Sequence, residues 1–251
     1  MINWCGYKWD SVMEGGRRIH TGQPWEWYCD ECVYVDSDNV LHLKIMEKPT
    51  EIHHWDGKTY NPTMAVGIVR TRKPFDYGTF SCKLKMPKGK NISASFWLSG
   101  VDSWPPEIDI EEGWPEKGNW FHWTSELFPW LYPSWRTTNN VVYLDKKGDD
   151  SSRRYAKSKN VSWFLQPKDP SDNWVEYSCI WTPDDIRFFA NGRQTRKISN
   201  KIARKLIENN TVDSHTMRAI INIWSGNPDI QDVRMDTELL AKDFKYTPLE
   251  K

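Results

Sequence analysis

No stretch of the 251-residue sequence approaches the ~18 apolar residues that a membrane-spanning helix needs, and the opening Met1-Ile2-Asn3-Trp4-Cys5 lacks the basic start and apolar run of a secretory signal. A soluble protein is expected, without a membrane partner. Net charge is missing too, because 34 Lys plus Arg meet 34 Asp plus Glu. With no overall field to attract phosphates, sequence-independent nucleic-acid binding loses its driving force. Internal repeats, low-complexity tracts, heptads and a recognisable linker are all absent. The length therefore suits one all-β domain over residues 1–251. Cysteine is sparse: the lone Cys29-Asp30-Glu31-Cys32 has no second CxxC or nearby His pair to complete a zinc site. Cys82 and Cys179 fall in alternating segments where a free thiol acts as a small hydrophobe.

Aromatics are abundant. Sixteen Trp, ten Tyr and nine Phe stand in a chain that is only 38% hydrophobic. Trp is large and its N–H needs a partner, so that many of them serve either a Trp-rich core or a cleft whose flat faces stack on flat ligands such as sugar rings. Composition alone favours neither.

Val40–Ile45, Gly78–Met86 and Val175–Trp181 alternate polar and apolar with period two and are bounded by turn residues, as half-buried strands are. Ile186–Ala190, Asn191-Gly192 and Arg193–Ile198 read as a hairpin, since Asn-Gly accepts the positive φ of a type I′ turn. Lys197–Glu208 has Ile198, Ile202, Leu206 and Ile207 at helical spacing, with Asn209-Asn210 as a stop. Short strands with one helix predict a β-sandwich or jelly roll.

The chemistry concentrates in Trp104-Pro105-Pro106-Glu107-Ile108-Asp109-Ile110-Glu111-Glu112-Gly113-Trp114. On a strand, residues two apart share a face, which lines up Glu107, Asp109 and Glu111 and turns Ile108 and Ile110 inward. A β-bulge after Ile110 makes Glu112 the third acid instead. At ~3.3 Å per residue the outer Cα atoms are roughly 13 Å apart, and two Glu side chains leaning together reach the separations of retaining (~5 to 5.5 Å) or inverting (~6.5 to 9.5 Å) glycosidases. A middle Asp pushes the neighbouring pKa values apart, which suits one acid and one nucleophile. A calcium site or a solvated acidic edge strand is the plainer alternative, and the isoleucines opposite the acids speak against mere solvation.

The run EIDIEE after WPP resembles the signature of glycoside hydrolase family 16, β-jelly-roll enzymes that cut β-1,3/1,4-glucans and marine galactans. Gly67–Leu98, Asn173–Arg193, the segment MRAIINIWSG and Lys242–Pro248 are similar to further family segments in the expected order. The resemblance implies an all-β, concanavalin A-like sandwich with a concave catalytic sheet and a retaining double displacement. Glu107 is the implied nucleophile, Asp109 the assisting acid and the last Glu the general acid/base. The family has a regular form, pointing to Glu111, and a bulged form, pointing to Glu112. We favour Glu112, because without a bulge its carboxylate faces the core, where an unpaired charge costs several kcal/mol. Glu111 departs from the pattern, since bulged members usually carry an apolar residue there. Trp104 matches a position that stacks on sugar in bulged members.

Trp114, Trp120, His122 and Trp123 follow closely enough in the chain to wall the same cleft, with His122 equally suited to a structural place between aromatics. The aromatic loop WTSELFPWLYPSW is the candidate for specificity. Arg70, Arg72 and Arg136 are candidates to meet sulfate, although solvent exposure is the plainer use of each. The resemblance requires no cofactor and allows one structural calcium, with Asp243 where a ligand sometimes falls. The expected function is endo-hydrolysis of a polysaccharide: a β-1,3- or mixed-linkage glucan, agar, porphyran or carrageenan. The alternatives are a noncatalytic carbohydrate-binding jelly roll and a transglycosylase. Such a substrate implies work outside the cytoplasm, after secretion or after release by a virus or lysis.

Overall fold

The computed structural model describes the chain except residues 21, 90, 102, 116–134, 147, 157–168, 209–215, 227–228, 230–232, 234, 236 and 251. Among the described residues two large sheets face each other, as the alternating segments predict. The front sheet runs in the order β1 (Ile2–Trp4), β2 (Tyr7–Asp10), β9 (Ile68–Thr71), β18 (Met217–Ser225), β11 (Ile92–Gly100), β12 (Glu107–Pro115), β13 (Trp135–Leu144) and β14 (Arg153–Tyr155). The back sheet runs β17 (Arg193–Ile198), β16 (Ile186–Ala190), β15 (Val175–Trp181), β10 (Gly78–Lys85), β19 (Glu238–Pro248), β5 (Leu41–Glu47), β8 (Met64–Val66) and β3 (Glu26–Tyr28), with β4 (Val33–Val35) beside β5. A small hairpin joins β6 (Ile52–His53) to β7 (Thr59–Tyr60). Pairing is antiparallel except between β3 and β8. The non-consecutive neighbours make this a jelly-roll sandwich rather than a meander.

Period-two burial builds the core. Phe80, Cys82 and Leu84 of β10 and Val175, Tyr177, Cys179 and Trp181 of β15 point inward and are fully buried. Ala94, Phe96 and Leu98 of β11, with Ala219, Ile221 and Ile223 of β18, meet them from the front sheet. Trp4, Trp9, Phe75 and Phe244 close one part of this core, with Trp9 and Phe244 edge to face at a ring separation of 5.0 Å. Their indole nitrogens are provided for: Trp9 donates to the Trp4 carbonyl and Trp4 to that of Asn39. Part of the tryptophan is therefore core, while Trp55 and Trp104 are exposed.

The Asn-Gly hairpin forms with Asn191 and Gly192 at φ 48° and 75°. The helix, α1 (Asn200–Glu208), begins three residues later than its periodicity predicts, because Lys197 and Ile198 are drawn into β17 opposite Arg187 and Ile186. Asn209-Asn210, the expected stop, lie outside the described residues. Ala203 and Leu206 bury the inner face of α1, which packs on β13. No helix among the described residues is long and apolar enough to cross a membrane. All five cysteines are free thiols, with Cys29, Cys32, Cys82 and Cys179 buried.

Candidate active site

β12 is an interior strand of the front sheet, flanked by β11 and β13, and its start is fixed by a close approach. Gly100 ends β11 and donates its N–H to the Pro106 carbonyl at 2.9 Å. A Cβ on Gly100 would stand 2.6 Å from both Pro106 Cδ and the Ser103 carbonyl oxygen, so only glycine lets the chain turn so tightly into Glu107.

The register along β12 contains one extra residue. Trp97 lies opposite Asp109 but Phe96 lies opposite Glu111, which leaves Ile110 without a partner on β11. On the other side Asn140 faces Asp109 and Thr138 faces Glu112, so that two residues of β12 oppose Asn139 alone. This is a β-bulge, and it changes the alternation. Glu107, Asp109 and Glu112 turn to the outer face, where they line one groove of about 750 Å³. Ile110 and Glu111 both turn inward and are fully buried.

Side chains from β13 and β17 hold the irregular backbone. Asn139, itself buried, donates from Nδ2 to the Ile110 carbonyl at 2.6 Å, satisfying an acceptor that the broken ladder leaves over. Its own Oδ1 accepts from Thr195 at 3.3 Å, and its carbonyl accepts from Arg196 at 3.0 Å, which ties the bulge to β17. Thr138 Oγ1 donates to the Glu112 carbonyl at 3.2 Å.

The bulge does not spare the core an acid, contrary to the reasoning from sequence. It exchanges one for another: Glu111 stands opposite Phe96, and both its carboxyl oxygens are buried with no hydrogen-bond partner among the described residues. Burial first, and then the Glu112 charge, hold its carboxyl well above the usual range and favour its protonated form.

On the groove side, burial raises Glu107 to about 7, the Trp104 indole opposes this by donating to Glu107 Oε2 at 2.8 Å, and the nearby Glu112 charge adds to the rise. Asp109, 6% exposed, is raised well above its ordinary value by burial, then by Glu107 and Glu112, while a hydrogen bond with the Asn140 side chain opposes them. Neighbouring carboxyls in a poorly hydrated strand disfavour one another's charge. The groove floor beside them is Ser95, Trp97 and Asn222, with Trp97 Nε1 donating to Asn222 Oδ1 at 2.9 Å.

Trp104 sits at the rim, 42% exposed, as a residue that meets a ligand needs to be. One face of its ring carries the Arg153 guanidinium from β14, 4.3 Å from the ring centroid. Trp114 is half-buried two residues beyond Glu112 on the same face of β12, outside the residues that line the groove around the acids. Trp120, His122 and Trp123, with most of the aromatic loop, lie outside the described residues. Asp243 is on the back sheet at φ 57°, with its carboxylate 2.8 Å from Lys83 Nζ. Among the described residues no cluster of three or more His, Cys, Asp and Glu is arranged to hold a metal ion. An ammonium in contact with the candidate ligand does not fit a calcium ion at that carboxylate.

Asn139, Asn140 and Arg153 escape sequence reading, because each reaches the site from a strand whose pairing with the acidic segment no local pattern encodes. Arg70 reverses its expectation: it is 7% exposed in the groove, while Arg72 remains exposed and pairs with Asp10 at 2.8 Å. The Arg136 side chain lies outside what the structure describes.

Fold and groove define a β-sandwich protein with a carboxylate-lined sheet face. The chain belongs to glycosyl hydrolases family 16, whose family model matches residues 21–241. Among curated proteins it is similar to the endo-1,3-1,4-beta-glycanase ExoK of Rhizobium meliloti (strain 1021), at 19% identity over 169 residues, covering 65% of this chain and 48% of that protein. The chain thus spans about half the length of that relative. Among solved structures it resembles porphyranase B from Zobellia galactanivorans, with a TM-score of 0.64 at 19% identity over 95% of this chain and 86% of the other. The family 16 enzyme of the Bacteroides ovatus mixed-linkage glucan locus gives 0.65 at 17% identity over 95% and 94%. The laminarinase catalytic domain of Thermotoga maritima gives 0.60 at 19% identity over 90% and 84%. At these identities the structural likeness speaks for the fold.

Proposed function

We propose that the chain is a retaining, endo-acting glycoside hydrolase that cleaves internal linkages of a polysaccharide outside the cytoplasm. The observation that carries this reading is the bulge, which gathers Glu107, Asp109 and Glu112 on one face of β12 inside a single groove while Glu111 turns away. Membership of a family of glycosidases supports it, as do the polysaccharides for which the similar proteins are named.

Each carboxyl takes a role from its surroundings. The Trp104 N–H favours the ionised form of Glu107, so Glu107 is the nucleophile that attacks the anomeric carbon. Glu112 holds the proton that passes to the departing glycosidic oxygen, giving a glycosyl ester on Glu107 and a free chain end. Glu112, now ionised, takes a proton from water as that water attacks the anomeric carbon, and Glu107 leaves as carboxylate. Asp109, kept protonated by burial and by its two neighbours, donates a hydrogen bond instead of adding a third negative charge.

The test is the course of product sizes from a polysaccharide, together with the anomeric configuration of the first-formed reducing end by NMR. The reading expects a rapid fall in polymer length and retention of the β configuration. Inversion, or release of single sugars from the ends, would refute it; longer chains formed with an added acceptor oligosaccharide would show transfer instead of hydrolysis.

A further inference from the structure

A cationic cluster lies in the same groove, two and three strands across from the acids. Arg218 of β18 faces Ser99, which faces Glu107. Arg70 of β9 faces Ile220, which faces Trp97 and then Asp109. At roughly 4.8 Å between strands, the two backbones stand about 10 Å and about 14 Å from the acids across the sheet, a distance that a short run of sugar units spans. Arg17 lines the groove beside them.

These cations are under-matched. The Glu14 carboxylate accepts from Nη1 of both Arg70 and Arg218, and the Glu14 carbonyl accepts from Arg17 Nε at 3.1 Å. Asp10 is drawn to Arg72 at 2.8 Å and stands 4.0 Å from Arg70. Asp10 and Arg72 cancel, which leaves, among the described residues of the cluster, three guanidinium groups against one carboxylate, a surplus of two positive charges. Each guanidinium has five N–H donors, and Nε of both Arg70 and Arg218 is buried with no acceptor among the described residues. Cations held this far from water require anionic partners. Glu14, with its side chain 46% exposed, is an incomplete one, and it opens a short turn in which Gly15 and Gly16 take φ of 68° and 77° with open space around them.

We propose that Arg70 and Arg218, with Arg17 at the rim, form a subsite for an anionic substituent on the polysaccharide, a sulfate ester or a carboxylate, and that the Glu14 carboxylate is its displaceable intramolecular substitute. The planar fork of arginine suits both oxyanions. This assignment rests on the reading of the groove as a polysaccharide site and narrows it to charged polymers.

Binding and cleavage are measured separately on polymers that share a backbone: porphyran against its desulfated form, and carboxymethyl β-1,3-glucan against the unmodified glucan. The wild type is expected to bind the charged member of one pair at least tenfold more tightly at low salt, with the advantage shrinking as salt rises. The pair that shows it tells sulfate from carboxylate. Arg218→Gln is expected to abolish that preference, and Glu14→Gln to strengthen it, since a competing carboxylate is gone. The second variant acts by gain, so misfolding cannot imitate it. No charge preference in either pair, or a preference that survives Arg218→Gln in a folded protein, overturns the subsite. Cleavage of a neutral polymer without charge preference overturns the subsite and leaves the glycosidase reading standing. Charge-selective binding without release of reducing ends does the reverse.

Discussion

Replacing Glu111 by Met isolates the consequence of the bulge. The Glu111 carboxyl is fully buried opposite Phe96, and neither oxygen has a partner among the described residues. Leaving a buried polar group unpaired costs about 1–3 kcal/mol. Met has nearly the same length, and such volume-conserving exchanges cost less than about 1.5 kcal/mol in repacking. A net stabilisation of about 1 kcal/mol at neutral pH is expected, and at ~2–4 °C per kcal/mol for a chain of this size the melting temperature should rise by a few degrees. The gain should grow with pH. A carboxyl whose folded pKa is raised binds its proton more tightly in the folded state, so its contribution is full below the unfolded value of ~4.3 and is lost as pH rises through the folded value. The variant removes that loss. Thermal melts from pH 5 to 9, followed beside activity, measure both effects, and activity should persist because Glu111 does not line the groove. A variant that melts like the wild type at every pH but has lost activity would refute the register, by placing the Glu111 side chain among the reacting groups.

Trp104→Phe removes the N–H that favours ionised Glu107, so the acid limb of the pH–activity profile should move to higher pH, with kcat/KM about tenfold lower or more, as loss of a hydrogen bond to a charged group implies; an unmoved acid limb would contradict it. Asn139→Ala strips the Ile110 carbonyl at the bulge of its partner, and a loss of about 1–3 kcal/mol by chemical denaturation is expected, together with reduced kcat. Glu26, fully buried at the start of β3 and accepting from the Ser225 N–H at 2.7 Å, is raised to about 8 by burial, so it too favours the folded state at low pH. Stability should decline between about pH 4.5 and 8 by an amount on the order of a few kcal/mol, and Glu26→Gln should flatten that decline in urea titrations across the same range.

Local pattern made much of this fold legible. The alternation in β10 and β15 and the Asn-Gly turn between β16 and β17 each state their structure within a few residues, since side-chain period and turn chemistry are local. The acidic strand announced itself in the same way. What escaped is what depends on pairing between distant segments. Whether Ile110 is an extra residue depends on Phe96, Trp97 and Asn139, and nothing in EIDIEE records which of them it faces. The burial of Glu111 follows from that register, and the preference for a bulge to keep an acid out of the core overlooked the acid that a bulge turns in. Lys197 and Ile198 carry a helical period but join β17, because pairing with β16 overrides a short periodic signal. Arg70 and Arg218 lie far apart in sequence, and Glu14, which joins them, sits in a turn with no distinguishing composition.

The most direct test of the central claim is reducing-end release from laminarin, lichenan, agarose, porphyran and carrageenans by the wild type, Glu111→Gln and Glu112→Gln, each checked for folding by its melt. The account predicts release from at least one polymer by the wild type, retained in Glu111→Gln and reduced by orders of magnitude in Glu112→Gln. Loss in Glu111→Gln with activity kept in Glu112→Gln, or a folded wild type that binds these polymers and cuts none, would contradict it.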